Sequence, residues 1–523
     1  MKSITFGGVP RWAALGITLL FAAGAHAAIN ISTQATQNMS CSGGICTATA
    51  QKAYLNVNDV TNFLAAGDLK IVSGAGAEDI HIQAPFSWTS TSRLTLDAQR
   101  SIEFEKPVTV AGTGAMTLIT KDGAPNGTLS FRKSGRVKFW DLASNLRING
   151  RDYTLINTVQ ALSSKIAADP TGSYALADNH DAAADGPYSG PPMAVPFTGR
   201  FEGLGNSVSN LTISSHKKNA QLGFFLRLGK NGSITNFELL NISVSGGGNT
   251  YGGLVAYNDG KISRVLVSGY IPAGHLGFYC GGVAAFSDGI ITDAISDVSV
   301  YVPDTGAEHN AGSLVGINGG LIVNSVGTGS VSGGCCAENE VQNNLGGLVG
   351  MNGGTILASF ATGGVYPSSH DVAGGLIGIN SGSVANAYES GEVQGGPDWI
   401  GGLIGYTEGG SLQNGYAVGR LDDVFEGGVL GVDGGEANTN AYWDLDTTGV
   451  NNPSQGAYSP ANDPGLIGLT DTQLKSALPD GFDPQVWGQS PNINNGYPYL
   501  LANPPPKGNR PIRHYRSGAH HAR

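Results

Sequence analysis

The sequence predicts an all-β fold, a parallel, right-handed β-helix solenoid with short helical excursions and a C-terminal cap. The first observation is a repeated motif between residues 223 and 435, of which GGLVGMNGG and GGLIGINSG are two copies. The second is the spacing of the seven motif anchors, which follow one another at intervals of 26 to 34 residues. Units of this length with strand patterns bury their apolar faces only by stacking. The anchors are Leu254, Val283, Leu314, Leu348, Leu376, Leu403 and Val429.

Each copy keeps the same internal register. A short polar residue follows the anchor by four positions, and an apolar residue follows it by twelve or thirteen. Between them, alternation such as Val384, Asn386, Tyr388 predicts a second strand with one buried face. A corner is expected at the glycine six positions after each anchor, because glycine adopts positive φ without steric cost. These corner glycines are Gly260, Gly289, Gly320, Gly354, Gly382, Gly409 and Gly435.

The repeats resemble the GLUG repeat, which is named for its GGL[VI]G core and occurs in bacterial surface and secreted proteins of the filamentous-haemagglutinin-like kind. The resemblance covers residues 223–440, the predicted GLUG-repeat β-helix. Strands such as SRLTLDAQ, between residues 86 and 132, are similar to the short coils of the same exoproteins. The resemblance implies an exported β-solenoid with adhesin-like roles, and it implies no chemistry.

Residues 1–27 are predicted to be a secretory signal peptide. Lys2 and Arg11 precede a short apolar run that ends in Ala25-His26-Ala27, so the mature chain is expected to begin at Ala28. Residues 28–145 are assigned to an N-terminal cap and haemagglutinin-like coils. A short helix is expected from Asn58, and the coils are expected from about residue 86.

Residues 146–222 are predicted to hold a hairpin, a helix and a lead-in coil. The hairpin turns at Asn149-Gly150, and the helix follows from the apolar spacing between residues 159 and 166. Residues 441–505 are assigned to the C-terminal cap, because aromatic side chains concentrate there and the last coil needs a cover. Thr470 and Gln473 predict a capping box within it. Residues 506–523 are basic and are expected to form a disordered tail.

Cys41 and Cys46 in CSGGIC are close enough in sequence to form a disulfide, and export would place them in an oxidising compartment. The pairing of Cys280, Cys335 and Cys336 stays open. They are an odd set in adjacent repeats.

No catalytic, cofactor-binding or metal-binding motif is recognisable in the sequence, so the chain is predicted not to be an enzyme. The polar position of the repeats holds a row of amides, Asn318, Asn352 and Asn380, which are expected to stack as a hydrogen-bonded ladder. Amides cannot act as acid/base pairs. The net charge of −11 argues against a nucleic-acid partner. Apart from the signal peptide, no apolar run is long enough to predict a transmembrane segment.

The function predicted is that of an exported, extracellular or cell-surface protein with an adhesin-like role, with the periplasm as an alternative location. The alternatives are a polysaccharide-active β-helix enzyme and a purely structural biofilm or matrix protein. Length variation between copies falls in one segment of the coil, and such insertions emerge along one edge. This edge is predicted to contact a cell-surface glycan, a protein or a matrix partner, whose identity the sequence leaves open together with the export route and the oligomeric state. Its candidate residues are Tyr270, His275, His309, His370 and Trp399.

Overall fold

The computed structural model describes residues 27–74, 76–121, 127–274, 278–303, 308–334, 342–368, 370–396, 399–422, 425–435 and 438–505. These residues form a nearly all-β solenoid of about 15 turns with three α-helices. The predicted parallel β-helix is therefore confirmed. The signal peptide up to residue 26, His275, Cys335, Cys336 and the basic tail lie outside the described residues.

Parallel stacking begins with the first described strand, well before residue 86. Ala28–Ser32 pairs in parallel with Lys52–Asn56 on one side and with Asp79–Ile82 on the other. Helix α1 (Val57–Ala66) follows, capped by Asn56 and ended at Gly67, close to its predicted bounds. Three stacks make up this part: Lys52–Asn56, Ala28–Ser32, Asp79–Ile82, Ile102–Phe104 and Leu129–Phe131; Phe86–Trp88, Pro107–Val110 and Arg136–Phe139; Ile45–Ala48, Leu69–Val72, Arg93–Asp97, Ala115–Ile119 and Asn145–Ile148.

A short hairpin near the start of the chain holds the disulfide. Met39–Ser42 pairs antiparallel with Ile45–Ala48, so that Cys41 lies opposite Cys46. The two sulfur atoms are bonded, as the CSGGIC spacing predicted.

The predicted hairpin after residue 145 is also confirmed. Asn145–Ile148 pairs antiparallel with Arg151–Ile156, and both turn residues, Asn149 and Gly150, have positive φ. Helix α2 (Val159–Ala168) follows, capped by Thr158, and buries the three apolar residues whose spacing predicted it. Parallel pairing then resumes through Ser173–Leu176, His180–Asp181, Arg200–Glu202, Ser207–Ser209 and Thr212–Ser215, with a 3₁₀ turn at Ala182–Asp185.

Each coil of the repeat array contains an outer strand, an anchor strand and flank strands, in that order along the chain. The outer strands are Gln221–Leu222, Thr250–Gly252, Tyr279–Gly281, Asn310–Gly312, Asn344–Gly346, Val372–Gly374, Ile400–Gly401 and Glu426–Gly427. The anchor strands are Phe225–Leu228, Val255–Asn258, Ala284–Ser287, Val315–Asn318, Val349–Asn352, Ile377–Asn380, Ile404–Glu408, Leu430–Gly434 and Ala457–Ser459.

The flank strands follow the corner glycines and are the longest in the array. From Ile290 onwards they divide into shorter pieces, which are shortest in the middle of the array. They are Ser233–Gly246, Lys261–Pro272, Ile290–Thr292, Ile295–Val302, Leu321–Val323, Val326–Gly327, Val331–Gly333, Thr355–Leu357, Phe360–Ala361, Val365–Tyr366, Ser383–Glu389, Val393–Gln394, Ser411–Ala417, Leu421–Asp422, Thr439–Asp444 and Leu466–Leu469.

The corner glycines are required for a reason other than the predicted one. Of the seven, only Gly409 has a positive φ, so the expectation of positive φ is wrong for the other six. A Cβ at Gly354 would instead collide with the carbonyl oxygen of Gly320, and one at Gly382 with that of Gly354. A Cβ at Gly289 would likewise collide with the carbonyl oxygen of Gly260 in the coil below. In the coil of Gly409, the glycine that packs against the coil below is the next residue, Gly410. A Cβ added at Gly410 would collide with the side chain and backbone of Asn380 and with the backbone of Gly382. Close stacking of successive coils therefore excludes a side chain here.

The positive-φ corner lies further along the coil, ten or eleven residues after the anchor. Asparagine occupies it most often, which fits the tolerance of asparagine for left-handed backbone. The predicted strands through Arg264 and Asn386 are present as Lys261–Pro272 and Ser383–Glu389, but the positive φ bends them at this point and interrupts the predicted alternation. The residues with φ near 50° are Asn236, Arg264, Asp293, Asn324, Ala358, Asn386, Asn414 and Asn440.

The predicted amide row forms a continuous ladder inside the array. The Nδ2 of Asn318 donates to Oδ1 of Asn352, and the Nδ2 of Asn352 donates to Oδ1 of Asn380, both at 2.8 Å. An additional pair extends the row, since Asn258 donates to the hydroxyl of Ser287 at 3.0 Å. All five side chains are fully buried, so the ladder holds coils together and is not a binding surface.

The C-terminal segment covers a side of the solenoid as well as its end. Trp443, Val450 and Leu466 close the last coil, but residues 471–505, which we call the strap, run back along the flank. The strap includes helix α3 (Asp471–Ser476) with the predicted capping box, a 3₁₀ turn at Asn494–Gly496 and a small antiparallel pair, Trp487–Gly488 with Tyr499–Leu500. The assignment of residues 441–505 to an end cap is thus right only for their first part.

The strap packs on a column of side chains in register, which we call the flank column. Its members stand twelve or thirteen residues after the anchors, in the apolar position of the repeat. The strap buries them where they are aromatic, and Trp487 donates from Nε1 to Asn386 at 3.0 Å. The column runs through Leu266, Ile295, Val326, Phe360, Tyr388, Tyr416 and Tyr442, and Glu238 pairs with Leu266 at its start.

One buried carboxyl makes the stability of the array dependent on pH. Glu389 is fully buried between Ala361 and Ala417, and burial raises its pKa from 4.5 to about 8. One oxygen accepts from the backbone N–H of Gly419 at 2.9 Å. Because the pKa of Glu389 is raised in the folded state, its contribution to the free energy of unfolding is fully present below pH 4.5. That contribution is lost as the pH rises through 8.

We expect Glu389→Gln to remove the loss of stability at high pH, while its amide oxygen still accepts the hydrogen bond from the backbone N–H of Gly419. Relative to wild type, the variant should gain stability between pH 5 and pH 9, by on the order of 3 kcal/mol. Thermal melts across this pH range measure the difference. Glu408→Gln, at an exposed glutamate of the array, is the matched control and should follow wild type. Parallel pH profiles for wild type and Glu389→Gln would contradict the prediction.

Candidate binding surface

The structure separates the residues of the predicted binding edge. Tyr270 is 46% exposed within a flank strand, while Trp399 is 39% exposed in the loop before an outer strand. His370 is also exposed and lies in such a loop, one coil before Trp399. Tyr270 and Trp399 therefore lie in different parts of different coils and do not form one cluster.

The prediction that His309 contacts a partner is wrong, because its side chain is fully buried. Its backbone N–H donates to Oδ1 of Asn343, and Asn343 donates to Asp371 at 2.7 Å. Asp371 is buried as well, which raises its pKa to about 6. These three residues form an internal polar ladder one coil apart, comparable to the amide ladder.

A second set of exposed side chains does form a continuous surface. In seven successive anchor strands, the third residue is partly exposed while the residue before it is buried. These third residues are all apolar or aromatic, and strand pairing places each one beside the next. We call this row the apolar stripe: Tyr257, Phe286, Ile317, Met351, Ile379, Tyr406 and Val432.

Aromatic side chains and a cation extend the apolar stripe at its two ends. Near one end, the ring of Trp399 packs on Tyr406 with 5.7 Å between centroids. At the other end, the guanidinium of Arg227 lies 5.8 Å above the ring of Tyr257. The rings of Tyr257 and Phe286 are 6.3 Å apart. Since coils are spaced by about 4.8 Å, the seven side chains cover roughly 30 Å of the rod.

The apolar stripe offers contact area rather than a cluster of reactive groups. Its side chains offer van der Waals area and ring faces, and the phenol groups of Tyr257 and Tyr406 are the only polar groups among them. Contiguous exposed apolar surface on a soluble protein marks an interaction site more often than scattered residues do. Trp399 is the member of the predicted edge that belongs to this surface.

Two pairs of carboxylates are also brought onto neighbouring coils. Burial raises the pKa of Asp288, and the adjacent Asp259 raises it further. Near the last coil, burial raises the pKa of Asp433, as do a hydrogen bond and charge from Asp463. Asn438 donates to both members of this second pair. Within the described parts of the chain, no group of three or more His, Cys, Asp or Glu residues could hold a metal ion.

The fold and the apolar stripe define a class of protein, a long parallel β-solenoid with a continuous apolar contact row. No family model matches the chain. Halomucin from Haloquadratum walsbyi is 33% identical over 169 residues, which are 31% of this chain. The chain spans about 2% of the length of that protein.

Among solved structures, a chain from Bacteroides ovatus, provisionally named an immunoglobulin A1 protease, is similar over 67% of this chain and 93% of its own. The identity is 15% and the TM-score 0.33, which supports no statement about the function of this chain. Within the described residues, none of the helices has the length and apolar character needed to cross a membrane.

Proposed function

We propose that this protein is an exported bacterial surface protein with an adhesin-like role. The observation that carries the proposal is the apolar stripe, because seven stacked coils present one partly exposed apolar side chain each. The sequence supports export through the signal-peptide pattern of residues 1–27. The resemblance of residues 223–440 to GLUG repeats of surface and secreted proteins supports the same location.

In this proposal the apolar stripe and Trp399 contact a surface partner of the kinds considered above, a cell-surface glycan, a protein or a matrix component. A row of this length contacts an extended partner along the rod. Each contact is small, so affinity depends on several coils acting together. Cell fractionation tests the location, and recovery of the mature chain only from the cytoplasm would contradict it.

A charge within the apolar stripe should abolish attachment. Ile379→Glu puts a carboxylate in the middle of the row at a position already open to solvent, so the fold should tolerate it while an apolar contact would not. We expect at least a tenfold loss of attachment when cells displaying the full chain are tested on surfaces coated with glycans and matrix proteins.

Ser383→Glu is the matched control, since Ser383 is exposed in the same coil but on a flank strand. It adds the same charge outside the stripe and should attach like wild type. Equal attachment by both variants, with thermal melts like wild type, would place the contact elsewhere.

The alternative of a polysaccharide-active enzyme is supported by the Asp433–Asp463 pair. A carboxyl group whose pKa is raised by burial and by a neighbouring carboxylate, as at Asp433, can serve as a general acid in the cleavage of glycosidic bonds. Incubation of the purified full chain with polysaccharides, followed by assay of new reducing ends, tests this alternative. Cleavage that is lost in Asp433→Asn would favour the enzyme over the adhesin.

A further inference from the structure

A long groove follows the flank of the solenoid where the strap ends. Its volume is about 1460 Å³. At one end it is lined by residues 501–504 of the strap, in the middle by Arg136, Glu238 and Arg264, and at the other end by Gln51 and Lys52. Nine stacked levels contribute to it, five from the N-terminal coils and four from the repeat array, which gives roughly 40 Å of length.

The groove is more cationic than the rest of the protein. It is lined by six lysine and arginine side chains and by four carboxylates, whereas the whole chain has a net charge of −11. An excess of positive charge on an acidic protein favours an anionic ligand at that place. The cations are Lys52, Arg100, Arg132, Lys133, Arg136 and Arg264, and the carboxylates are Asp79, Glu103, Glu238 and Asp293.

Several of these cations are already paired with carboxylates. Arg100 pairs with Asp79, and Arg132 lies 3.3 Å from Glu103. Arg136 is different, because its Nε is buried without a hydrogen-bond partner among the described residues. A buried donor without an acceptor is costly, and an acceptor on a ligand would relieve that cost.

Arg264 also lines the groove and, among the described residues, uses only part of its donor capacity. Its Nε donates to Oδ1 of Asn236 at 2.8 Å, which leaves the donors on its two terminal nitrogens. Nearby, burial and the charge of Arg264 lower the pKa of Lys261. Burial raises the pKa of Glu238, and the charge of Arg136 opposes that rise. The centre of the groove therefore holds charges of both signs, and the unused donors of Arg136 and Arg264 are available to an anionic ligand.

We propose that this groove binds an acidic polysaccharide chain. Its carboxylates pair with Arg136 and Arg264, and its hydroxyls bond to the polar side chains along both walls. Those walls offer donors and acceptors suited to sugars, which include Asn30, Ser101, Ser130, Asn236, Asn324 and Asn503.

Nucleic acid fits the groove less well than an acidic sugar chain does. A nucleic acid carries closely spaced phosphates, and the carboxylates of Glu103, Glu238 and Asp293 interrupt the positive charges along the walls. An acidic sugar carries one carboxylate per ring and many neutral hydroxyls, which matches separated cations among amides and hydroxyls. The extended length of the groove also suits a linear chain.

The test measures binding of an oligogalacturonate to the purified full chain by titration calorimetry. A neutral cello-oligosaccharide of equal length and a single-stranded DNA oligonucleotide are the comparison probes. We expect the oligogalacturonate to bind, with affinity that falls as salt is added, and both comparison probes to bind at least tenfold more weakly. Absence of oligogalacturonate binding, or tighter binding of the DNA, would overturn the proposal.

Arg264→Asn is the main variant, because asparagine occupies the same positive-φ corner one coil earlier, at Asn236, and two coils later, at Asn324. It should keep the fold and weaken oligogalacturonate binding about tenfold or more. Arg136→Gln should weaken binding similarly, and it decides the outcome if Arg264→Asn melts below wild type. Arg420→Gln, an exposed arginine outside the groove, is the charge-matched control.

Equal affinity in wild type, Arg264→Asn and Arg136→Gln would overturn the assignment of the groove. Ile379→Glu, which disrupts the apolar stripe, should leave oligogalacturonate binding unchanged. The groove can therefore fail this test while the stripe passes its own attachment test, and the reverse also holds.

Discussion

Gly354→Val should destabilise the repeat array severely, whereas Gly353→Val should leave it close to wild type. A Cβ at Gly354 would collide with the backbone carbonyl oxygen of Gly320 in the coil below. Backbone in a stacked solenoid cannot move aside without separating the two coils. We expect a loss of about 3 kcal/mol or more, at the upper end of the cost of overpacking.

Gly353 is a close control because it precedes Gly354 in the same corner. A Cβ there would have Ser381 Oγ at 3.7 Å as its nearest neighbour, and the residue is exposed. Neither glycine has a positive φ, so valine is not strained by backbone conformation at either position. Thermal melts followed by circular dichroism compare the two variants. Similar melting of both would mean that close coil stacking does not explain the glycine.

Trp487→Ala should release the strap from the flank. The Trp487 side chain is 1% exposed, stacks on Phe482 at 4.3 Å and lies within about 6 Å of the rings of Tyr388 and Tyr416. Its Nε1 also donates to Asn386. Removing a buried tryptophan costs about 3–5 kcal/mol, and here the cost falls on the contact between the strap and the coils.

Limited proteolysis measures this release, since cleavage between residues 471 and 505 should become much faster in Trp487→Ala. Trp140→Ala is the control, because Trp140 is 70% exposed and lies in the N-terminal coils. Cleavage of the strap at the wild-type rate in Trp487→Ala would show that other contacts suffice to hold it.

The sequence predicted the features that depend on local spacing. The repeat register led to the solenoid, and the amide ladder of Asn318, Asn352 and Asn380 followed because identical positions of stacked coils meet. The Asn149-Gly150 hairpin and the capping box at Thr470 formed as expected, since a few neighbouring residues determine each of them. The disulfide followed from the five-residue separation of its cysteines.

The sequence was less informative about which atoms make glycine necessary. A glycine that recurs at the same position of every coil fits a positive φ and a close backbone approach equally well, and only coordinates distinguish the two. The left-handed corner had a signal of its own, the recurring asparagine at positions 324, 386, 414 and 440. The same asparagines also fit the solvated face of an alternating strand, so their spacing alone does not distinguish the two.

The apolar stripe and the strap were missed for a different reason. The third anchor-strand residue varies among tyrosine, phenylalanine, isoleucine, methionine and valine, which is also the composition of a buried core position. Its signal was that an apolar residue occurs there in all seven copies although Ala or Gly precedes it each time. The strap depends on contacts such as that of Trp487 with Asn386, 101 residues apart, which no local pattern encodes.

The course of the strap determines how the molecule carries tension. The last described residues do not leave from the tip of the rod, because Asn503 donates to the backbone carbonyl of Asn324, several coils back from the end. A force applied to the chain at residue 505 therefore acts on the contacts of the strap first. Its contacts would peel one after another, while the stacked coils beneath keep their backbone hydrogen bonds. The strap would thus detach from the flank before the stacked coils separate.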